Sequence, residues 1–351
     1  MKVAFLGDIS LNGRYIDYRK KKENPFLNLI PVLQDSDHVI GNLESFVKGD
    51  FGENQLKAPR LTTDLQTLDY LKDIRLSVAC LANNHAFDHL EDGFYKTLDY
   101  LKRSDIECLG AGSSNQEASE PVIIEKNGVR VGLLNFVTHD TNPNIPETAK
   151  IHVNFFNLEK VITELSELKR IVDHVVLQLH WGGRLEGGLY PDYDQPSIAK
   201  KLIDHGADII VGHHSHTFQP YERYKGKYIF YSLGNFCFSD FWFNEKYHPL
   251  PKRSTITGIV FIDFTKADFS VEVKFFKNNR NSFEKISKEA FVQTQNLIFN
   301  YFLRHQPLWN LYYLKHKFLR PLIFFLGRKD VPVSEKVSRI WRSFSRKYLS
   351  S

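Results

Sequence analysis

An α/β fold, with two sheets packed face to face and helices outside, is what this sequence predicts. Two observations carry that expectation. Short apolar runs alternate with helical patterns of about 10 to 15 residues, the mark of βαβ units and a largely parallel sheet. In the middle of the chain and again near residue 260 the rhythm breaks into antiparallel hairpin signals. A sheet system part parallel and part antiparallel, in two halves, fits two packed sheets better than one open sheet.

The elements follow in chain order. KVAFLGD reads as a first strand, DHVIGNLE as a second and LSVACLANNH as a third. NPFLNLIPVLQD and TTDLQTLDYLKD lie between them, with apolar residues at i, i+3, i+4 and i+7, so both read as helices. DGFYKTLDYLKRSDI is a further helix and leads into ECLGAG. PVIIEKNGVRVGLLNFV holds two β-rich runs around Asn127-Gly128, a hairpin signal because both turn positions need positive φ. A polar loop spans Thr138 to Ile151. NLEKVITELSELKRIV is then an amphipathic helix and HVVLQLHWG a buried strand. DQPSIAKKLIDHGAD is a helix with Asp194 at its N-cap, Pro196 in its first turn and Gly206 as its stop. DIIVGHHSH and KYIFYSLGNF are strands running into loops, and TGIVFIDFTKADFSVEVKFFK is a closing antiparallel hairpin. From about Arg280 the pattern reads as helical only.

Composition narrows the function classes. The 351 residues are 42% apolar and 14% aromatic, enough for a large core. The opening MKVAFLGDIS is too short an apolar run for a signal peptide, and no run of about 18 apolar residues predicts a membrane span. Cys80, Cys108 and Cys237 form no CxxC pair. Three sparse cysteines argue for core positions, a reducing compartment and no disulfide framework. Residues 297–351 carry 11 Lys/Arg against 2 Asp/Glu, while the rest has 35 against 39. A basic segment is thus appended to a slightly acidic body. Its cations with Phe, Trp, Tyr and Leu suit either a packed helical subdomain or contact with an anionic membrane surface. No recognition motif points to a specific nucleic acid.

Chemistry gathers where strands end. Asp8 follows VAFLG; Asn42 and Glu44 follow HVIG; Asn83, Asn84, His85 and Asp88 follow VACLA. His180 follows VVLQL, the triplet His213, His214 and His216 follows DIIVG, and Asn235 follows IFYSLG. Ligands bind at the carboxyl ends of strands in α/β sheets. Each residue alone reads equally well as a cap, a turn or a packed histidine. Together, six strand ends carrying Asp, Glu, Asn and His have no common structural cause. Imidazole with carboxylate and amide oxygen, and no thiolate, suits Mn, Fe, Zn or Co. Some six ligands exceed one tetrahedral zinc and fit two ions about 3.5–4 Å apart that clamp a phosphate. His214 and His216, two apart, can face one site with Ser215 turned away, while His213 either orients the site or adds a ligand. Arg14, Asn12 and Arg184 are candidates for binding substrate charge.

The ordered set GDISLNG, GNLES, LANNHAFD, GAG, LHWGG, GADIIVGHHSHTFQPYE and YSLGNFCF resembles the CapA, or poly-γ-glutamate biosynthesis, family of the calcineurin-like metallophosphatase superfamily. The resemblance covers roughly residues 1–276. It implies a four-layer αββα sandwich over residues 1–278, with residues 279–351 as a basic helical segment. It implies metal ligands at Asp8, Glu44 (bridging), Asn84, His180, His214 and His216. His85 is then the acid that protonates the leaving oxygen, and Asp8 joins it as a catalytic group. Asn42, Arg14, Arg184, His213 and Asn235 are expected around substrate. Ser10 stands where the superfamily has a histidine, so one ion loses a usual ligand, and GNLE replaces a Gly-Asp-x-x-Asp motif. The implied function is a metal-dependent phosphoric-ester hydrolase of capsule synthesis, with an anionic phosphorylated or polymeric substrate. The other reading is a capsule-assembly accessory protein that binds an anionic polymer or a partner enzyme. The expected location is cytoplasmic, peripheral at the inner membrane face if the basic segment docks there.

Overall fold

A computed structural model describes residues 1–243, 246–287 and 289–319. Among these, two large mixed sheets carry the fold. The first is built on β1 (Lys2–Ile9), with β2 (His38–Leu43), β3 (Val78–Cys80) and β4 (Glu107–Leu109) parallel on one side. The second has β5 (Val122–Lys126), β6 (Val129–Val137), β7 (His174–His180), β8 (Ile209–His213), β9 (Tyr221–Tyr224) and β10 (Lys227–Phe230). There β6, β7, β8 and β10 run parallel. β11 (Asn235–Cys237) returns to the first sheet, parallel to the end of β1. β12 (Ile256–Phe264), β13 (Phe269–Asn278) and β14 (Phe283–Ile286) then extend that sheet antiparallel on the other side of β1.

Period-two alternation explains why the sheets face each other. Val3 and Phe5 of β1 share one buried cluster with Val176 of β7 and with Ile209 and Val211 of β8. Ala4 and Leu6 point the other way, into a cluster with Phe94, Leu98 and Leu101 of a helix at Leu90–Arg103. Behind the second sheet, helices at Leu158–Leu168 and Gln195–Asp204 bury Val161, Leu165, Leu168, Ala199 and Leu202. Leu168 lies so close over β6 that a Cβ at Gly132 would sit 2.7 Å from it. The result is the four-layer αββα sandwich.

Several local readings hold for visible reasons. Asn127 and Gly128 adopt φ 53 and 73, so the hairpin between β5 and β6 turns as expected. The helix Gln195–Asp204 starts after Asp194 with Pro196 in its first turn, and Gly206 beyond it has φ 118. The Asp194 carboxylate accepts no capping hydrogen bond; its Oδ2 accepts from Arg184 instead. Other readings need correction. NPFLNLIPVLQD is helical only over Ile30–Leu33, since Pro31 can start a helix but not extend one backwards. TTDLQTLDYLKD gives a 3-10 turn and one short helix, Tyr70–Asp73. The sequence Tyr-Glu-Arg-Tyr carries no clear strand signal, yet β9 pairs with β10 through Lys225 and Gly226 at φ 50 and 81. β14 lies in a stretch read as helical only. Cys80 and Cys237 are buried, but Cys108 is only half-buried at the edge strand β4.

Residues 1–299 form one compact unit, and a second starts at Asn300. In the second, a helix spans Gln306–Leu314. Much of the basic segment, residues 320–351, lies outside the described residues. No helix among the described residues is long and apolar enough to cross a membrane.

Asp208, just before β8, anchors the ends of the strands opposite the polar cluster. Its buried carboxylate accepts from Val175 N–H at 2.8 Å and Lys169 Nζ at 2.6 Å, and also pairs with Lys227. Burial raises its pKa, but the two ammonium groups outweigh that and hold it below the usual range. We predict that Asp208→Asn lowers unfolding free energy at pH 7 by about 1–3 kcal/mol in urea titrations. A depressed carboxyl stabilises above its unfolded value of about 4 and loses that effect as pH falls through the folded value. The gap between the two proteins therefore narrows below about pH 4; a gap constant with pH would show that the charge is irrelevant.

Candidate metal centre

The carboxyl ends of β1, β2, β7 and β8 meet at one point between the sheets. Gly7 and Gly212 permit the approach. A Cβ at Gly7 would lie 1.9 Å from the Gly234 carbonyl oxygen, and one at Gly212 would lie 1.9 Å from that of Tyr231. Asp8 is wholly buried there. Its Oδ1 accepts from Asn42 Nδ2 at 3.0 Å and lies 3.0 Å from His213 Nδ1. Its Oδ2 accepts from the His214 N–H at 3.3 Å and lies 3.4 Å from His216 Nδ1. Burial opposes charge on Asp8, but these histidines hold its pKa well below the usual carboxylate range.

Glu44 follows β2 and is equally buried. Asn42 Nδ2 donates to its Oε1 at 2.9 Å, so one amide bridges both carboxyls. Burial and the Asp8 charge push Glu44 well above the usual range. His180, at the end of β7, has Nδ1 3.8 Å from Glu44 Oε1 and Nε2 3.0 Å from Asn84 Oδ1. Burial and the ring of His214 beside it keep His180 neutral, and burial takes His214 down to about 4. His216 behaves oppositely: despite burial, Glu44 and Asp8 raise it to about 10.

Oxygen and imidazole donors of Asp8, Glu44 and His180 lie within 4.8 Å of one another. Glu44 Oε2 and His214 Nδ1 are buried with no hydrogen-bond partner. Unpaired acceptors at such a place are costly unless a cation takes them up. Two carboxyls, two imidazoles and an amide oxygen form a donor set that fits a divalent transition ion. His214 and His216 have φ 87 and 56, left-handed values that cost energy for a side-chain-bearing residue and cluster at functional sites.

The remaining expected residues divide. His85 Nδ1 is 2.6 Å from Asp88 Oδ2, and its Nε2 is 3.9 Å from Glu44 Oε2. Burial lowers the His85 pKa, against the pull of Asp88. His213 has both ring nitrogens engaged, with Nε2 2.9 Å from Gln178 Oε1. Asn235 Oδ1 lies 2.9 Å from His216 Nδ1. Ser10 turns its hydroxyl to Asn12 Oδ1 at 2.9 Å, which leaves both beside the cluster rather than in it. Arg14 pairs with Asp240 at 3.0 Å. Arg184 pairs with Asp194 at 2.7 Å and stacks on Tyr193, and it does not line the cavity over the cluster.

That cavity holds about 640 Å³ and is lined by Asn84, His85, His216, Glu186 and Lys57 among others. Three of its supporting groups escaped the sequence reading. Lys57 is buried, donates to the Asn84 carbonyl and lies 3.5 Å from Asp88 Oδ1. Burial lowers its pKa, opposed by Asp88 and Glu44. Glu186 Oε1 is 3.8 Å from His216 Nε2. Gln178 had a signal in the sequence, a polar residue two before His180 on the same face of a buried strand.

The family model for bacterial capsule synthesis protein PGA_cap matches residues 2–240. The chain belongs to that family. It is 34% identical over 252 residues to the PGA biosynthesis protein CapA of Bacillus subtilis, covering 69% of this chain and 64% of that protein. It is 33% identical over 276 residues to the capsule biosynthesis protein CapA of Bacillus anthracis, covering 74% and 66%. The match thus spans just under two thirds of each relative. A solved structure, the calcineurin-like phosphoesterase YfkN from Bacillus subtilis, aligns over 87% of this chain and 98% of its own at 16% identity and a TM-score of 0.49.

A ligand that binds only the folded state at a hundred times its dissociation constant adds about 2.7 kcal/mol of stability. Mn²⁺ or Zn²⁺ should therefore raise the thermal midpoint of the chelator-treated protein, and Glu44→Gln should abolish the rise. An unchanged midpoint with every divalent ion tried, or a rise retained in Glu44→Gln, would show that the cluster holds no metal.

Proposed function

We propose that the chain is a metal-dependent phosphoric-ester hydrolase of bacterial capsule or poly-γ-glutamate synthesis. The observation that carries this reading is the buried cluster of Asp8, Glu44 and His180 with the unpaired Glu44 Oε2 and His214 Nδ1 beside it. Asp8, Glu44, Asn84, His180, His214 and His216 would hold divalent ions, Mn, Fe or Zn, in a one- or two-ion site. Bound there, such ions polarise a phosphoryl oxygen and acidify water. The chain's own groups do the rest. Asp88 holds His85 through Nδ1 and so turns Nε2 to the cavity; Nε2 would first have to take up a proton, and the imidazolium, supported by Asp88, would then pass it to a leaving oxygen. Lys57 sets the Asn84 carbonyl and steadies Asp88. His213, held by Gln178, aims the Asp8 carboxylate. Membership in the PGA_cap family supports the capsule role.

The accessory reading has one specific support. Ser10 offers no ligand, and an amide at Asn42 bridges Asp8 and Glu44 where the superfamily motif has a carboxylate. In that reading the cleft binds an anionic polymer or a capsule-synthesis enzyme without turnover. The two readings part on one assay. Bis(p-nitrophenyl) phosphate with added Mn²⁺ should be turned over, and His85→Ala should slow that turnover by about 100-fold or more with metal content unchanged. No turnover in metal-replete protein would leave the accessory reading.

We also propose that residues 297–351 contact the inner membrane face. Their cationic balance supports this, as do Tyr301, Leu308, Leu311 and Leu314, which are all exposed. Vesicles with anionic lipid should float the full chain but not a chain truncated after Phe299. Equal flotation of the two would remove the membrane contact.

A further inference from the structure

A second cavity of about 880 Å³ adjoins the one over the metal cluster, and Phe238, Leu250, Arg253 and Ser254 line both. Asn235, whose Oδ1 lies 2.9 Å from His216, also lines it, so the two spaces share the loop that ends in the metal centre. Its charge is one-sided. Arg14, Lys252, Arg253, Lys277 and Arg280 are among its walls, and Asp240 is the one acid among the described lining residues. Asp240 is already spent: it pairs with Arg14 at 3.0 Å and Arg280 at 3.5 Å and accepts from Leu250 N–H at 2.8 Å. Lys252 and Lys277 are exposed, and neither has a carboxylate partner among the described residues.

These cations come from separate parts of the chain. Arg14 opens the helix Arg14–Lys20, Lys252 and Arg253 sit in a 3-10 turn, Lys277 lies near the far end of β13 and Arg280 just beyond it. Like charges brought together from three places repel one another, and a concave wall of one sign focuses the field and draws in counter-ions.

We propose that this cleft is a second anion subsite, so that the ligand of the site is an oligoanion carrying at least two acidic groups, one at the metal cluster and the next among Lys252, Lys277 and Arg280. It rests on the metal-centre reading only for its position. The shared chemistry is a row of carboxylates or phosphates.

The test uses the full chain with a fluorescein-labelled oligoglutamate of about ten residues, read by anisotropy. Lys252→Glu with Lys277→Glu should weaken binding by at least about tenfold, while Lys201→Glu, on the far helix Gln195–Asp204, should change it by less than about twofold. Both lysines of the double variant are exposed, and its thermal midpoint reports that it folds. Binding by the unmodified chain should also fall steeply with salt, as expected for screened charges. Equal weakening by Lys201→Glu, or none in the double variant, would overturn the subsite. Competition separates the sources: stronger displacement by linear polyphosphate assigns phosphate, and stronger displacement by unlabelled oligoglutamate assigns carboxylate. Displacement by inorganic phosphate as strong as by either chain would overturn the two-group requirement. Oligoanion binding without ester turnover would sink the hydrolase and keep the subsite; turnover without such binding would do the reverse.

Discussion

The buried carboxylate of Asp8 is the constraint on which the rest of this structure turns. A charge with no solvent contact is tolerable only if every lone pair is met. Its donors come from both sheets: Asn42 from the strand beside it, and His213, the His214 amide and His216 from the strand and loop facing it. One anion therefore ties the two layers at their carboxyl edge. The glycines follow from that demand, because Gly7 and Gly212 let neighbouring backbones approach where a Cβ would collide. The left-handed residues His214 and His216 follow as well. Their backbone bends so that an amide and an imidazole reach the same carboxylate.

Much of this was legible in the sequence, and the reason is local. A strand is an apolar run, so a polar group just past its end stands out, and parallel strands bring those ends together without further information. That logic assembles Asp8, Asn42, Glu44, Asn84, His85, His180 and the GHHSH loop. It fails where position depends on irregular backbone. Lys57 lies in a loop with no period, so nothing in the chain foretells that its ammonium turns in toward Asn84 and Asp88. Arg184 follows a strand end like the others, but Asp194 ten residues later takes its guanidinium at 2.7 Å. Short helices depart from the apolar pattern for a related cause. Apolar spacing at Ile30–Leu33 describes which residues are buried, whereas Pro25 and Pro31 decide how far the helix runs.

The segment from Asn235 to Ile256 serves two masters. Its start pairs with the end of β1 and touches His216; its end begins β12 and carries Lys252 and Arg253 into the cationic cleft. Because β12 is hydrogen-bonded along β1, the cleft is registered to the Asp8–Glu44–His180 cluster through the sheet itself. A ligand spanning both would thus meet fixed walls at each end, which limits the ordering cost of binding.

Asn42 shows how the cluster balances its own charge. A carboxylate in its place would put three anions around one buried point, and without cations at least one would have to take a proton. The amide instead donates to both Asp8 and Glu44, and the conflict that remains between the two carboxyls falls on Glu44, whose pKa burial and the Asp8 charge push well above the usual range. The same substitution removes one negative charge from the donor set, and the Ser10 hydroxyl, turned to Asn12, adds nothing in return. Fewer charged ligands mean weaker hold on a divalent ion; Ser10 withholds a donor beside Asp8, while Asn42 stands between Asp8 at 3.0 Å and Glu44 at 2.9 Å. Glu44 Oε2 and His214 Nδ1 are buried and have no hydrogen-bond partner. The site is thus asymmetric: both Asp8 oxygens are taken up by the protein's own hydrogen bonds, whereas Glu44 keeps one oxygen, Oε2, and His214 keeps Nδ1 without such a partner.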